Sequence, residues 1–440
     1  MKKEEFECIN PHGGGIDIGS SEHWVCVPKE SSAKNVRKFG CFTPDLKEMA
    51  SWLLECGVNT VAMEATGVYW IPTYQILESS GIEVILVNAH HVKTVPGRKS
   101  DVLDCQWLQK LHTYGLLSGS FRPENEICRL RSYIRQRDTL IKASGSHIQR
   151  MQKALIQMNL QLHKVISDIT GITGMAIIRS IVAGENNPVK LASLKDRRIK
   201  SSKKDIEKAL TGDYREEHLF VLKQELALYD MYQEKITECD QQIEEYLQQF
   251  PKQVMELPSS VSQKKRRKPK GNQPNFDLGS YLYQISGVDF TTINGIDALS
   301  VQTIISEVGL DPQRFPTVKH FCSWLGLSPG SRISGGKSKS SATRKVVNRA
   351  ANAFRIAAQS LSRSRSALGA FFRRLKIRLG TPKAITATAH KLARIFYLMW
   401  TRKDTYVDPG MDYYEQKYQE RLLKNLKRNA NELGFELVPQ

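Results

Sequence analysis

The chain has 440 residues, 40% of them hydrophobic and 25% charged, with 64 Lys and Arg against 45 Asp and Glu and a formal net charge of +19. That length allows two or three domains with real cores, and that balance points to a polyanionic partner, most simply nucleic acid. No apolar run approaches the ~18–20 residues of a membrane span, and the start, MKKEEFECINPHGGG, lacks the apolar core of a signal peptide. Eight scattered cysteines, without CxxC or CxxH spacing, argue against a disulfide framework or zinc site. The expected setting is the reducing cytoplasm, in association with the nucleoid and with no membrane partner.

The first ~115 residues alternate in type. GGGIDIGSS, HWVCVP and VRKFGCF predict three strands separated by turn residues. Helical spacing follows over 44–56, a strand at VNTVAME, a helix beginning over 71–77, and a nearly all-apolar strand at EVILVN of the kind buried in parallel sheets. Residues 101–111 read as a helix with Ser100 as N-cap. These elements predict a layered α/β domain over 1–125.

From residue 126 the pattern changes. Ile127, Ile134, Ile141, Ile148, Leu155 and Leu162 fall every seven residues, as do Leu222, Tyr229, Ile236, Ile243 and Phe250. Sustained seven-residue spacing predicts supercoiling helices, either a helical hairpin or a dimerising coiled coil, over 126–260. Arg137 and Ser144 fall where apolar residues would be ideal, and 184–200 reads as an irregular segment between the arms. Long amphipathic helices in a plain bundle would give a similar pattern. Residues 261–277, which include the run KKRRKPKGNQP, read as a basic linker or an arm that orders on nucleic acid. A mainly helical unit follows over 278–403, then a polar helical tail over 404–440.

Charge divides unevenly among these segments. Residues 1–125 hold 12 Lys and Arg and 15 Asp and Glu, whereas residues 312–403 hold 20 Lys and Arg and no Asp or Glu. An ordinary surface mixes both signs, so this acid-free stretch is the expected nucleic-acid-binding region.

Four acids stand out in the first domain. Asp17 lies in GIDIGS and Glu64 in AMEATG, each at or near a strand end, where parallel strands converge on one edge. Asp101 and Asp104, in GRKSDVLD, are three apart and project from one face of a helix's first turn. Gathered, such carboxylates repel, and a divalent cation relieves the repulsion. Mg²⁺ takes oxygen ligands and keeps waters for a phosphate, and a pair of ions clamps a phosphodiester during displacement. Each acid also has a plainer reading: a turn former before glycine, or a favourable charge at a helix N-terminus. GIDIGS alone would also suit an actin-like sugar kinase, but no second phosphate loop follows.

LSPGSRISGGKSKSSATRK (327–345) mixes Ser, Gly and Lys as a phosphate-gripping loop does. Gly335 and Gly336 permit close backbone approach. Lys337, Lys339, Arg344 and Lys345, with Arg349 just beyond, would neutralise phosphate. A serine nucleophile is one reading and a simple phosphate grip is another, since six serines compete.

The blocks GIDIGS, AMEATGVYW and GRKSDVLDCQWL, followed by GLSPGSRISGGK and TRKVVNRAA, resemble the DEDD-type insertion-sequence transposases, the bridge-RNA-guided recombinases. The resemblance spans nearly the whole chain. It implies an N-terminal RuvC-like domain of RNase H fold, an α-helical coiled-coil arm, and a mainly α-helical C-terminal transposase domain. It implies that Asp17, Glu64, Asp101 and Asp104 bind Mg²⁺ and that Ser334, in RISGG, becomes joined to DNA as a phosphoserine. The implied partners are donor and target DNA, a structured noncoding guide RNA, and further copies of the chain in a dimer or tetramer. Such a protein would leave sequence reading to RNA and contact mainly backbone. The implied activity is an RNA-guided transposase; the rival readings are a metal-dependent endonuclease using water and a non-catalytic RNA- or DNA-binding protein. One departure concerns SGVDFTTINGIDA, which is longer than the compact PGIG-like hairpin of the family.

Overall fold

The structure is a computed structural model. It describes residues 7–65, 67–88, 101–256, 271–335, 337–340, 342–344 and 346–438. Residues 261–270 of the basic linker expected over 261–277, and the N-cap expected at Ser100, lie outside the described residues. The chain divides into two compact units, Met1–Arg122 and Pro123–Gln440.

In the first unit the alternating pattern becomes a mixed five-stranded sheet. Its strands are β1 (Gly13–Ile18), β2 (Glu22–Cys26), β3 (Val36–Gly40), β4 (Thr60–Glu64) and β5 (Glu83–Val87), in the order β3-β2-β1-β4-β5. β1, β2 and β3 form an antiparallel meander, while β4 runs parallel to β1 and β5 parallel to β4. The parallel connections need crossovers, which α1 (Thr43–Glu55) and α2 (Trp70–Ser79) supply. α1 covers one side through Leu46, Met49 and Leu53, packed with Ile16, Val25 and Val61. A third helix, α3 (Asp101–Thr113), also packs on the sheet. This arrangement is consistent with the RNase H-like fold that the resemblance implies.

The second unit begins with two 33-residue helices, α4 (Asn125–Gln157) and α8 (Glu216–Gln248). They lie antiparallel, as Tyr133 meets Tyr246, Arg137 meets Asp240 and His147 meets Glu225. The seven-residue pattern therefore folds as a hairpin within one chain. Ile127, Ile134, Leu155, Leu222 and Ile243 are buried along it. Arg137 and Ser144, the polar interruptions, are buried too. Arg137 donates to both oxygens of Asp240 and, at 2.9 Å, to the Asn272 carbonyl. Ser144 accepts from the Gln233 amide at 3.0 Å. Farther along, His147 sits 2.6 Å from Glu225 and stacks on Tyr232.

A cap closes the far end of the hairpin, built on α5 (Ile172–Val182), α6 (Pro188–Ser193) and α7 (Lys203–Ala209). The segment 184–200, expected to be irregular, contains α6. Its signal is Asn187–Pro188: the Asn187 side chain accepts from the amides of Val189 and Lys190, and the proline fills the first helical position.

The rest of the unit is helical apart from one small hairpin: α9 (Leu278–Ser286), α10 (Ala298–Val308), α11 (Val318–Trp324), β6 (Arg332–Ser334), β7 (Lys337–Ser340), α12 (Arg349–Ser360), α13 (Ala367–Leu379), α14 (Thr381–Arg402) and α15 (Met411–Glu432). Phe321, Phe354, Phe396 and Trp400 form an aromatic core. The long turn between α9 and α10 belongs to that core. Phe290 stacks on Phe396 with ring centroids 3.9 Å apart, and a Cβ at Gly295 would stand 2.7 Å from the Ala357 carbonyl oxygen. Two arginines brace α4 against this layer. Arg131 donates to the Ser306 carbonyl at 2.8 Å and Arg135 to the Glu307 carboxylate at 2.8 and 3.0 Å, at the C-terminal end of α10 where cations are favoured. No helix among the described residues is long and apolar enough to cross a membrane.

The Arg137–Asp240 pair gives the first prediction. Removing one partner strands a buried charge, so Asp240→Ala should cost about 3–5 kcal/mol. Arg137→Leu with Asp240→Leu should recover most of that loss. Urea denaturation followed by circular dichroism reads both.

Candidate active site

The acid edge is assembled by glycines. A Cβ at Gly13 would meet the His112 ring at 2.8 Å, and one at Gly15 would meet the Gln109 amide nitrogen at 2.3 Å and the Cys105 carbonyl oxygen at 2.4 Å. Helix α3 thus lies almost on the β1 backbone and runs opposite to it. Side chains alternate along a strand, so Asp17, two residues beyond Gly15, faces the same helix. On the neighbouring strand, Thr60 bonds His112 at 3.1 Å, which puts Thr60, Ala62 and Glu64 on that face as well. The parallel β1–β4 register runs to Ile16↔Met63, and one further step along both strands sets Asp17 beside Glu64.

The running direction of α3 brings its first turn to this edge. Asp101 is its first residue and Asp104 its fourth. Asp104 is half-buried; the Asp101 side chain lies outside the described residues. The Asp17 carboxylate reports its own proximity. The Cys105 thiol is pushed well above its ordinary range, chiefly by its hydrogen bond with Cys26, then by burial, and also by the charge of Asp17. The backbone therefore gathers Asp17, Glu64 and the Asp101–Asp104 turn at one sheet edge. Among the described residues no three such side chains close into a finished ligand set. The fit to a divalent ion rests on donor chemistry, since carboxylates are the hard oxygen ligands that Mg²⁺ takes.

The serine loop is built differently, and in the second unit. β6 and β7 pair antiparallel with Ser334 opposite Lys337, and Gly335 follows Ser334 in the turn. Gly335 has φ +56°, the left-handed conformation a tight hairpin turn requires. Ser334 is exposed beside this turn. The hairpin's base is tied by the Pro329–Thr343 bridge and by the Gly330 amide on the Ala342 carbonyl.

The expected phosphate contacts divide. Lys339 is exposed, while the Lys337 side chain and Lys345 lie outside the described residues. Arg344 is exposed but donates to the Ser323 carbonyl at 2.5 Å and to its hydroxyl at 3.1 Å. Arg349 opens α12 and pairs with Asp138 at 3.2 Å, which ties that helix to α4.

Sequence reasoning missed three contributors. Gly13 and Gly15 looked like strand and turn residues, although three consecutive glycines entering a buried strand were a signal of close approach. His112, which anchors the far end of α3 to Thr60, stood in no motif.

A mixed five-stranded sheet with acids toward one edge is consistent with an RNase H-like DEDD domain. A family model described as a DEDD transposase of the IS110 type matches residues 14–160, and one described as the transposase IS116/IS110/IS902 family matches residues 289–373. The chain belongs to the IS110-type DEDD transposases, and so is a DNA transposase of an insertion sequence, an enzyme that cleaves and rejoins DNA. No curated protein matches the chain significantly.

Two predictions follow from the seat of α3. Gly15→Ala should displace the helix and with it Asp101 and Asp104, lowering DNA strand cleavage about 10²-fold, as displacements near 1 Å do. Gly145→Ala, whose Cβ would meet nothing within 4 Å, should leave cleavage unchanged in the same assay. Burial lowers the His112 pKa, so the folded state holds this ring neutral. That contribution to stability is complete above about pH 6.5 and is lost as pH falls toward the lowered value. Thermal midpoints should therefore drop more steeply below about pH 6.5 for the wild type than for His112→Gln.

Proposed function

We propose that this transposase joins DNA to Ser334 and that its chemistry depends on Mg²⁺ held by Asp17, Glu64, Asp101 and Asp104. The observation that carries this reading is the convergence of Asp17, Glu64 and the first turn of α3 on one sheet edge. Bound there, Mg²⁺ would supply stabilisation of charge developing on the phosphate.

The chain's own residues account for the rest. The Ser334 oxygen forms a bond to phosphorus as the bond to the leaving sugar oxygen breaks. The serine proton leaves with general-base help, and the leaving oxygen gains a proton. Attack by a second sugar hydroxyl on the phosphoserine reverses the step and rejoins DNA in a new combination. Exposure of Ser334 at a hairpin tip supports access to a duplex. Lys337, Lys339 and Lys345 would steer the phosphate. Arg344 and Arg349 would do so while also holding the loop and α12 through Ser323 and Asp138.

The acids and the serine belong to separate compact units. That supports a composite site in which one subunit's acids work with another's serine, within a dimer or tetramer. The long hairpin would serve as the coiled-coil arm of that assembly. A structured noncoding RNA would select donor and target DNA by base pairing, leaving the protein mainly backbone contacts.

The test is a trapping assay. The protein is incubated with its element's junction DNA, the adjacent noncoding RNA and Mg²⁺, then denatured. A DNA–protein adduct is expected for the wild type and not for Ser334→Ala or Asp104→Asn. Cleavage without an adduct would favour the hydrolytic nuclease. Adduct formation without RNA would remove the guide from the reading.

A further inference from the structure

The two family models leave residues 161–288 unmatched. Much of this stretch is α8, but 161–210 forms the cap at the hairpin's far end. The cap has its own core, in which Ile169, Ile177, Ile181, Leu191, Ile206 and Leu210 close over Leu155 and Leu222. It is a folded element with a surface of its own.

That surface is basic along one segment. From Lys190 to Lys208 the chain carries eight Lys and Arg against Asp196, Asp205 and Glu207. Two of these acids already serve local structure. Asp196 accepts from the Arg198 amide and guanidinium, and Asp205 completes a capping box with Ser202 at the start of α7. Arg197, Lys200, Lys203 and Lys204 are exposed and make no ion pair among the described residues.

The backbone beneath them is fixed. The Asp196 amide donates to the Thr173 hydroxyl at 2.9 Å, and the Ser201 hydroxyl donates to the Val165 carbonyl at 2.6 Å. These cations therefore stand on an ordered platform at little further entropic cost of ordering the backbone. Grouped like charges within a Debye length of about 8–10 Å repel one another, and a polyanion relieves that repulsion.

The reach of the cap from the α12 anchorage is commensurate with a short stretch of duplex. From Asp138, the partner of Arg349, to the end of α4 at Gln157 the helix rises about 1.5 Å per residue, or roughly 30 Å in all. At ~3.4 Å per base pair, that is about nine base pairs of duplex. We propose that the cap is a second grip on duplex DNA, holding phosphates that flank the reacting junction. It adds affinity and no base readout, because lysines on an open surface meet phosphate rather than base edges.

The experiment uses the full chain. Lys200, Lys203 and Lys204 are changed together to Ala, and binding to random-sequence duplex DNA is measured across a salt series. Each lost phosphate contact lowers the log–log salt slope by about 0.9, so the triple variant should lose roughly 2–3 from it. Hydroxyl-radical footprints should lose protection on the flanks only. The corresponding triple Arg variant should keep both. Adduct formation on a junction trimmed of its flanks should match the wild type. An unchanged salt slope or an unchanged flank footprint would overturn the proposal. So would a loss confined to binding of a structured RNA hairpin. Binding is read without chemistry, so failure of the serine mechanism would leave this result interpretable.

Discussion

The space that a side chain at Gly15 would fill is occupied by the backbone of α3. That single approach governs the first unit. It fixes which way the helix runs across the sheet, and hence which end of it reaches the ends of β1 and β4. A helix seated on a larger residue would ride higher, and the first turn bearing Asp101 and Asp104 would stand off from Asp17 and Glu64. The buried His112–Thr60 contact fixes the opposite end, so the helix is held at two points along one line. The acid edge is thus a consequence of backbone packing before it is a matter of carboxylate chemistry.

The second unit depends on charge held inside. An apolar seam alone would let two long antiparallel helices slide by a turn at modest cost. The Arg137–Asp240 pair forbids this, because any other alignment buries an unpaired charge. Outside the hairpin the same economy recurs. The acid-free stretch 312–403 draws its counter-charges from other segments: Arg349 from Asp138 and Arg374 from Glu415. Arg344 and Arg373 are satisfied by carbonyl oxygens of Ser323 and Ser364. Part of the basic excess is therefore structural, and the count of cations overstates how many remain for phosphate.

This explains what the sequence could and could not disclose. Strands and crossovers were legible because period-two alternation and turn residues are local. The acids were legible because Asp17 and Glu64 fall at strand ends and Asp101 and Asp104 share a helical turn. Ser334 was not singled out by chemistry among six serines and needed the motif around it. Arg137 and Ser144 read as flaws in a heptad because their partners, Asp240 and Gln233, lie 103 and 89 residues away. Gly15 read as a strand glycine because the helix above it comes some ninety residues later. Asn187–Pro188 announces α6, but six residues span under two turns and carry too little periodicity to read as a helix.

The paired helices also form a stiff beam. Thirty-three residues make a rod of about 50 Å, and two rods locked side by side resist bending far better than one. Its anchorage on α10 and α12 lies toward one end, at Arg131, Arg135 and Asp138. A rotation of about 10° at that anchorage would sweep the opposite end through several ångströms, roughly the spacing of one or two base pairs. Small rearrangements among the braces are in this way geared up into large displacements at the tip, and forces applied at the tip return to the braces with the same mechanical advantage.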